Sequence, residues 1–344
     1  MITIHCGLHK TGSSSIQLAL KSVPQLAPKI DVPQEGQGQT TADFRTRLEL
    51  LHDSSVKIFS DEGVLGHPHN GYSTAAERLR VLQDVVANRP AMVVVYFRQT
   101  TDWITSVYLQ EIQEGGSVSP EDFWARLQKS ELLHWDKFLQ MLDDYIPPSK
   151  LMVRLYEPGR DVVEDFFSVA QLGKTPYVRG RGYRDNRSIA AIHAPILRAL
   201  NSQSASSKEQ LVARRRFFQQ VLVEGAPRDG SPFPEAIQRE MNEQYGISWN
   251  RLTDSMLRRD LTEGHRFRDV ATSFSFPPRP YVGLDLNGAP VQNELLRSLD
   301  LLSQRWSLQP QSIWTRASML LASDPSALVP IARRKLLGLI ARRP

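Results

Sequence analysis

The chain has a single cysteine, Cys6, so an intrachain disulfide is excluded. Closing a short apolar run, that cysteine reads as a small buried residue suited to a reducing compartment. Nowhere is there an apolar run of the roughly 20 residues needed to span a bilayer. The first strand pattern begins at residue 2, with no charged-then-apolar leader before it, so a cytoplasmic location is expected. Ligand clusters with metal spacing are also missing. His67 and His69 stand two apart without a cysteine or carboxylate set to join them, which reads as a solvated loop, and no metal is expected. Acidic residues stop at Asp324, and beyond it Arg333, Arg334, Lys335, Arg342 and Arg343 equal the whole formal net charge of +5. The preceding body is neutral and offers no general polyanion surface, so no nucleic-acid partner is expected. No internal repeat is visible.

What the chain does have is enough length, 344 residues at 41% hydrophobic content, to bury a sizeable core. Its first twenty residues, MITIHCGLHKTGSSSIQLAL, organise the rest. Ile2, Ile4 and Cys6 alternate with Thr3 and His5 as in a buried strand, Gly7 and Gly12 bound a loop, and Ile16, Leu18, Ala19 and Leu20 begin a helical pattern. Glycines allow a loop to turn its backbone N–H groups inward, and the helix start adds a positive dipole end. An anion is the expected occupant.

The spacing from Gly7 to Gly12 is that of a Walker A loop, yet Ser13 and Ser14 follow where a nucleoside triphosphatase needs lysine and then a hydroxyl residue. The lysine lies inside the loop instead, at Lys10, in the order Gly-Leu-His-Lys-Thr-Gly-Ser-Ser. This resembles the 5′-phosphosulfate loop of sulfotransferases that use 3′-phosphoadenosine 5′-phosphosulfate (PAPS), and His-Lys-Thr-Gly followed by small hydroxyl residues is closest to bacterial members of that superfamily. The resemblance implies donor contacts from His9, Lys10, Thr11, Gly12, Ser13 and Ser14, with Lys10 also catalytic.

A second match comes later in the chain. Ala91 to Phe97, AMVVVYF, is apolar on both faces and reads as a central parallel strand that delivers Arg98. A helix is expected from about Thr101, carrying Ser106 and Gln110 on one face and Trp103 and Val107 on another. Arg98 and Ser106 are eight residues apart, the separation of the arginine and serine that grip the 3′-phosphate in sulfotransferases. The order Ser106, Tyr108, Gln110 resembles the bacterial group. A guanidinium and a hydroxyl suit one phosphate, the former through its fork of donors. One departure is that many members have a proline soon after this arginine, whereas Gln99, Thr100 and Thr101 follow here.

Between these motifs Val56 to Phe59 reads as a short buried strand followed by Ser60-Asp61-Glu62-Gly63. Carboxylates at the carboxyl end of a parallel strand lie on the rim where α/β sheets bind ligands. By resemblance to sugar-modifying sulfotransferases, Glu62 is the base that takes the acceptor's proton; the residues alone equally allow Asp61 or Glu62 to cap the next turn. His67 is the reserve base, because cytosolic members of the superfamily use histidine.

Around these segments Lys21 to Gln39 reads as an exposed Pro/Gln/Gly loop, and helices are expected over Asp43–Leu51, Ser73–Asn88, two stretches within Pro120–Tyr145, and Asp161–Ala170, with a strand over Lys150–Tyr156. Glu157 then faces the ligand rim as a substrate contact. Arg179 to Ser188 is a basic glycine loop that reads equally as an ordinary exposed turn; the resemblance implies a basic loop closing over the nucleotide here, with Arg181 or Arg184 as a candidate for the 3′-phosphate. After Ser188 only helical patterns appear: Ile189–Leu200, Glu209–Val223, Pro234–Tyr245, Trp249–Leu257 and Val291–Leu302, the last reached through a Pro/Gly-rich connection.

The expected fold is α/β, a P-loop-like parallel sheet flanked by helices with a largely helical C-terminal half. A single domain over 1–325 is expected, with a nucleotide-binding core at 1–185 and a helical cover on the acceptor side at 186–325. A basic helix or tail at 326–344 suits peripheral contact with anionic lipid and equally docking on the body. What the resemblance implies is transfer of a sulfuryl group from PAPS to an acceptor hydroxyl, foremost on a saccharide or glycoconjugate, leaving adenosine 3′,5′-bisphosphate. The alternatives are a P-loop small-molecule kinase and a catalytically inactive nucleotide-binding homologue.

Overall fold

The computed structural model describes residues 1–23, 30–31, 44–46, 48, 57–87, 89–157, 160–172, 189–202, 208–220, 230–263 and 279. Arg181, Arg184, the Pro/Gly-rich connection, the helix expected over Val291–Leu302 and the basic tail lie outside those residues. Internal contacts divide the chain into two compact units. The first comprises Met1–Val107, Ala125–Tyr183 and Glu240–Phe276, and the second Tyr108–Trp124, Arg184–Arg239 and Pro277–Pro344.

The first unit is built on a parallel sheet. Its strands are β1 (Ile2–Cys6), β2 (Ile30–Asp31), β3 (Ile58–Asp61), β4 (Ala91–Phe97) and β5 (Leu151–Leu155), in the spatial order β2-β3-β1-β4-β5. All four pairings are parallel: Ile4 lies opposite both Phe59 and Val93, and Val95 lies opposite Val153. Parallel strands require crossovers, and the helices supplying them cover both faces, which is why β4 is apolar without alternation and why even Thr3 and His5 of β1 are buried. Val94 and Tyr96 face a cluster formed by Ile16, Ala19 and Leu20 of α1 (Ser13–Lys21) and Val163, Phe166 and Phe167 of α6 (Val162–Val169). On the opposite face Phe97 meets Trp135 and Phe138 of α5 (Trp135–Tyr145), ring centroids 5.6 and 5.9 Å away. Further helices among the described residues include α2 (Ala75–Ala87), α3 (Thr100–Gln113), α4 (Pro120–Leu127), α7 (Ala194–Ser202), α8 (Lys208–Gln220) and α9 (Glu235–Glu263). After Ser188 the regular elements of the described residues are helices, so the fold is the expected α/β sheet with a helical C-terminal half.

Three expectations are corrected. The strand expected over Val56–Phe59 is described as Ile58–Asp61, with Ser60 and Asp61 fully paired to His5 and Cys6. Its polar end is therefore part of the sheet, because Ser60 and Asp61 are buried, and Glu62 is the first residue past it. The stretch read as an uninterrupted loop after α1 contributes the two-residue edge strand β2. The separate helices at Pro234–Tyr245 and Trp249–Leu257 are one helix, α9. Gly246 is tolerated inside it at a cost of about 1 kcal/mol, and Ser248 just beyond it is buried and bonds to the Asp136 carboxylate, which fastens the helix across the expected break.

In the second unit, Tyr108, Phe123 and Phe233 form an aromatic cluster with centroid separations of 5.1 to 6.2 Å. Asn201 ties α7 to the end of α3 by donating to the carbonyls of Ile112 and Gly116 at 2.8 and 2.9 Å.

Candidate active site

The loop between β1 and α1 owes its shape to two glycines and two hydroxyl bonds to one carbonyl. A Cβ at Gly7 would overlap the Ser13 hydroxyl, and one at Gly12, where φ is 85°, would lie 2.6 Å from Val162 Cγ1. Lys10 also has positive φ, at 65°, a backbone conformation uncommon outside glycine and worth attention at a ligand loop. Thr11 Oγ1 and Ser13 Oγ both donate to the Leu8 carbonyl, at 2.5 and 3.5 Å, which closes the turn and directs the chain into the helix.

Neighbouring strands bring their ends to this loop. Past β4, Arg98 donates from a terminal guanidinium nitrogen to the Lys10 carbonyl at 3.1 Å, and its guanidinium lies 5.4 Å from the centroid of the Tyr156 ring. Trp135 Nε1 holds the Arg98 carbonyl at 2.7 Å, and Trp103 Nε1 holds the His9 carbonyl at 2.8 Å. The two indoles pack edge to face with centroids 5.5 Å apart, and Tyr72 sits 5.6 Å from Trp103. Tyr72 also accepts the His9 backbone N–H at 3.0 Å. Sequence patterning does not identify Tyr72, Trp103, Trp135 and Tyr156 as loop-bracing residues. Their only local signal is size, since each of these aromatics also suits an ordinary core position.

On the other side, past β3, Asp61 caps the turn that follows by accepting the Gly63 N–H at 2.6 Å. Glu62 is thereby left for the site. Its Oε1 accepts from Ser14 Oγ at 3.2 Å and its Oε2 lies 3.9 Å from His9 Nε2, with a quarter of the side chain exposed. Desolvation raises the Glu62 carboxyl above the ordinary carboxylate range; the Ser14 bond and the Lys10 charge oppose this and the Asp61 charge adds to it. A carboxylate that binds protons more avidly than usual is suited to base chemistry.

Above Glu62 lies an imidazole cluster. His9 and His67 have ring centroids 5.8 Å apart, and His67 stacks on His69 at 4.9 Å. His67 Nδ1 accepts the His69 backbone N–H at 3.3 Å, so its Nε2 carries the proton when the ring is neutral. Burial, followed by the positive neighbours His67, His69, Lys10 and Arg78, lowers His9 to about 3. His9 is therefore a neutral wall of the site at physiological pH. Among the described residues no group of three or more histidine, cysteine or acidic side chains is arranged to hold a metal ion.

Thus His9, Lys10, Ser14, Glu62 and Arg98 are brought together in the first unit, joined by bonds or by electrostatic contact. Ser106 is buried two turns into α3, and among the described residues no hydrogen bond joins it to Arg98 or to the loop. Gln99 caps α3 by accepting the Asp102 N–H at 2.7 Å. Tyr108 donates to the Val118 carbonyl and Gln110 to Glu114, at 3.2 and 2.7 Å. Glu157 pairs with Arg160 at 2.6 Å.

Among the described residues, no helix is long and apolar enough to cross a membrane. Comparison with protein-family models finds no match, and comparison with curated proteins finds none either.

Proposed function

We propose that this chain is a PAPS-dependent sulfotransferase acting on an acceptor hydroxyl, with a saccharide or glycoconjugate as the leading acceptor class. The observation that carries the reading is the convergence of three adjacent strand ends. β1 supplies a glycine loop with Lys10, β4 supplies Arg98 bonded to that loop, and β3 supplies Glu62 bonded to the helix after it. Two cations beside a helix N-terminus favour an anionic donor, and a carboxylate of raised proton affinity one hydroxyl away favours proton removal.

In this reading the acceptor oxygen attacks the sulfur in line while Glu62 takes its proton. An acceptor O–S bond forms and the bond from sulfur to the bridging oxygen of the 5′-phosphate breaks, with the electron pair leaving on adenosine 3′,5′-bisphosphate. Lys10 and the amides of Gly12, Ser13 and Ser14 meet the charge on the leaving group. His9 and Thr11 shape the loop, and Arg98 with Ser106 receives the 3′-phosphate. Most of the rate then comes from positioning and charge stabilisation, as in loose phosphoryl transfer. A cytoplasmic site of action and peripheral membrane contact through 326–344 accompany the reading.

The test is transfer of radiolabelled sulfate from PAPS to fractionated cell extract. Label in a saccharide-containing fraction that vanishes with Lys10→Ala supports the reading. No transfer to any fraction, or phosphate transfer from ATP–Mg in its place, overturns it in favour of an inactive homologue or a kinase.

A further inference from the structure

The loop contains three hydroxyls with described bonds, and they are used differently. Those of Thr11 and Ser13 are spent inside the loop on the Leu8 carbonyl. That of Ser14 reaches out of it, across to Glu62 beyond the neighbouring strand. Ser14 also lies in the first turn of α1, the part of a helix that faces an anion. A hydroxyl has one proton to donate, so it cannot serve the carboxylate and an anion oxygen at once.

We propose that the Ser14 hydroxyl changes partner, from Glu62 in the empty site to an oxygen of the donor when the loop is filled, so that donor binding releases the base. The identities of donor and base rest on the sulfuryl-transfer reading; the Ser14–Glu62 bond does not. The groups acting on Glu62 are the Ser14 proton and the Lys10 charge, which favour its ionised form, and burial with the Asp61 charge, which oppose it. His9, 3.9 Å away, is neutral and contributes no charge. His67, His69 and Arg78 surround His9 and help to keep it neutral. Withdrawing the Ser14 proton therefore strengthens Glu62 as a base at the moment a donor arrives. An enzyme without donor keeps its base bonded and quiet, and Ser14 is a positioning residue that couples the two halves of the site.

The experiment follows the titration of Glu62 by NMR in protein labelled at the glutamate carboxyls, with Glu62→Gln identifying the signal. Wild type, Ser14→Ala and Ser14→Thr are each titrated alone, with inorganic phosphate and with adenosine 3′,5′-bisphosphate. In the empty protein the Ser14→Ala midpoint is expected to lie about one pH unit above wild type, and Ser14→Thr is expected to restore it. Either probe should raise the wild-type midpoint by more than that of Ser14→Ala. Coincident midpoints in the empty proteins, or equal responses to the probes, overturn the coupling. Equal responses despite tight bisphosphate binding do so while leaving the sulfuryl-transfer reading intact. Failure of the bisphosphate alone, with the differential response to phosphate present, overturns the nucleotide reading and keeps the coupling. Failure of both probes overturns both.

Discussion

The two strands beside β1 deliver their charges to the loop in opposite styles. On the β4 side Arg98 is fixed: its carbonyl is held by Trp135, its guanidinium rests by Tyr156 and bonds to Lys10, and the indoles of Trp103 and Trp135 pack on each other. On the β3 side Glu62 has one hydroxyl bond, at 3.2 Å, and lies 3.9 Å from the His9 imidazole. The contrast assigns work. A permanent cation braced by aromatics is suited to hold an anion, and a lightly bonded, titratable carboxyl is suited to exchange a proton.

The strongest way to break that comparison is to disable the titrating side. Glu62→Gln is expected to lower sulfuryl transfer by ~10²–10⁴ while leaving nucleotide affinity near wild type; a matching loss of affinity would mean that Glu62 holds the donor. Next is the brace. Trp135→Phe keeps the ring packing but leaves the Arg98 carbonyl without its indole donor, at a cost of about 1–3 kcal/mol in denaturant unfolding, and it should weaken nucleotide binding more than Glu62→Gln does. An unfolding midpoint equal to wild type would remove the brace from the account.

A third test concerns buried histidines. Burial holds His5 and His9 at about 3 against an ordinary 6.5. Between those values the unfolded chain binds more protons than the folded one. Stability from these groups is thus complete above about pH 6.5 and is lost as pH falls toward 3, by roughly 1.4 kcal/mol per pH unit per histidine. Unfolding at pH 7 and pH 5 should show a steeper loss for wild type than for His5→Asn. Equal slopes would contradict burial of a neutral ring at position 5. The smallest effect has the opposite sign. Glu62 is raised, so the folded state binds its proton more readily than the unfolded chain does, and its ionisation destabilises the fold as pH rises through its folded value. Glu62→Gln should therefore melt higher than wild type near pH 8, with the gain shrinking toward pH 4; no gain at pH 8 would argue against the burden.

Legibility from sequence followed burial pattern. Ala91–Phe97 was readable to the residue because a run apolar on both faces has one home, the interior of a parallel sheet. Ser60 and Asp61 misled because polar residues at a strand end look like a loop, although they are buried and paired here. Gly246 misled in the other direction, since its cost is small beside the packing of a long helix. Lys10, Glu62 and Arg98 were legible as strand-end residues. Their common neighbourhood depends on the strand order, which puts β3 and β4 on either side of β1, and no local pattern encodes that. The aromatic brace was invisible for the same reason.

Under the proposed function, one nucleotide is gripped at both ends, by the loop and by Arg98. Calorimetric titration with adenosine 3′,5′-bisphosphate tests it most directly. Wild type should bind tightly and Arg98→Ala roughly 10- to 150-fold more weakly, as expected for lost charge-assisted bonds, with ATP–Mg giving no comparable heat. Equal affinity in the two proteins, or no binding by wild type, would contradict the account.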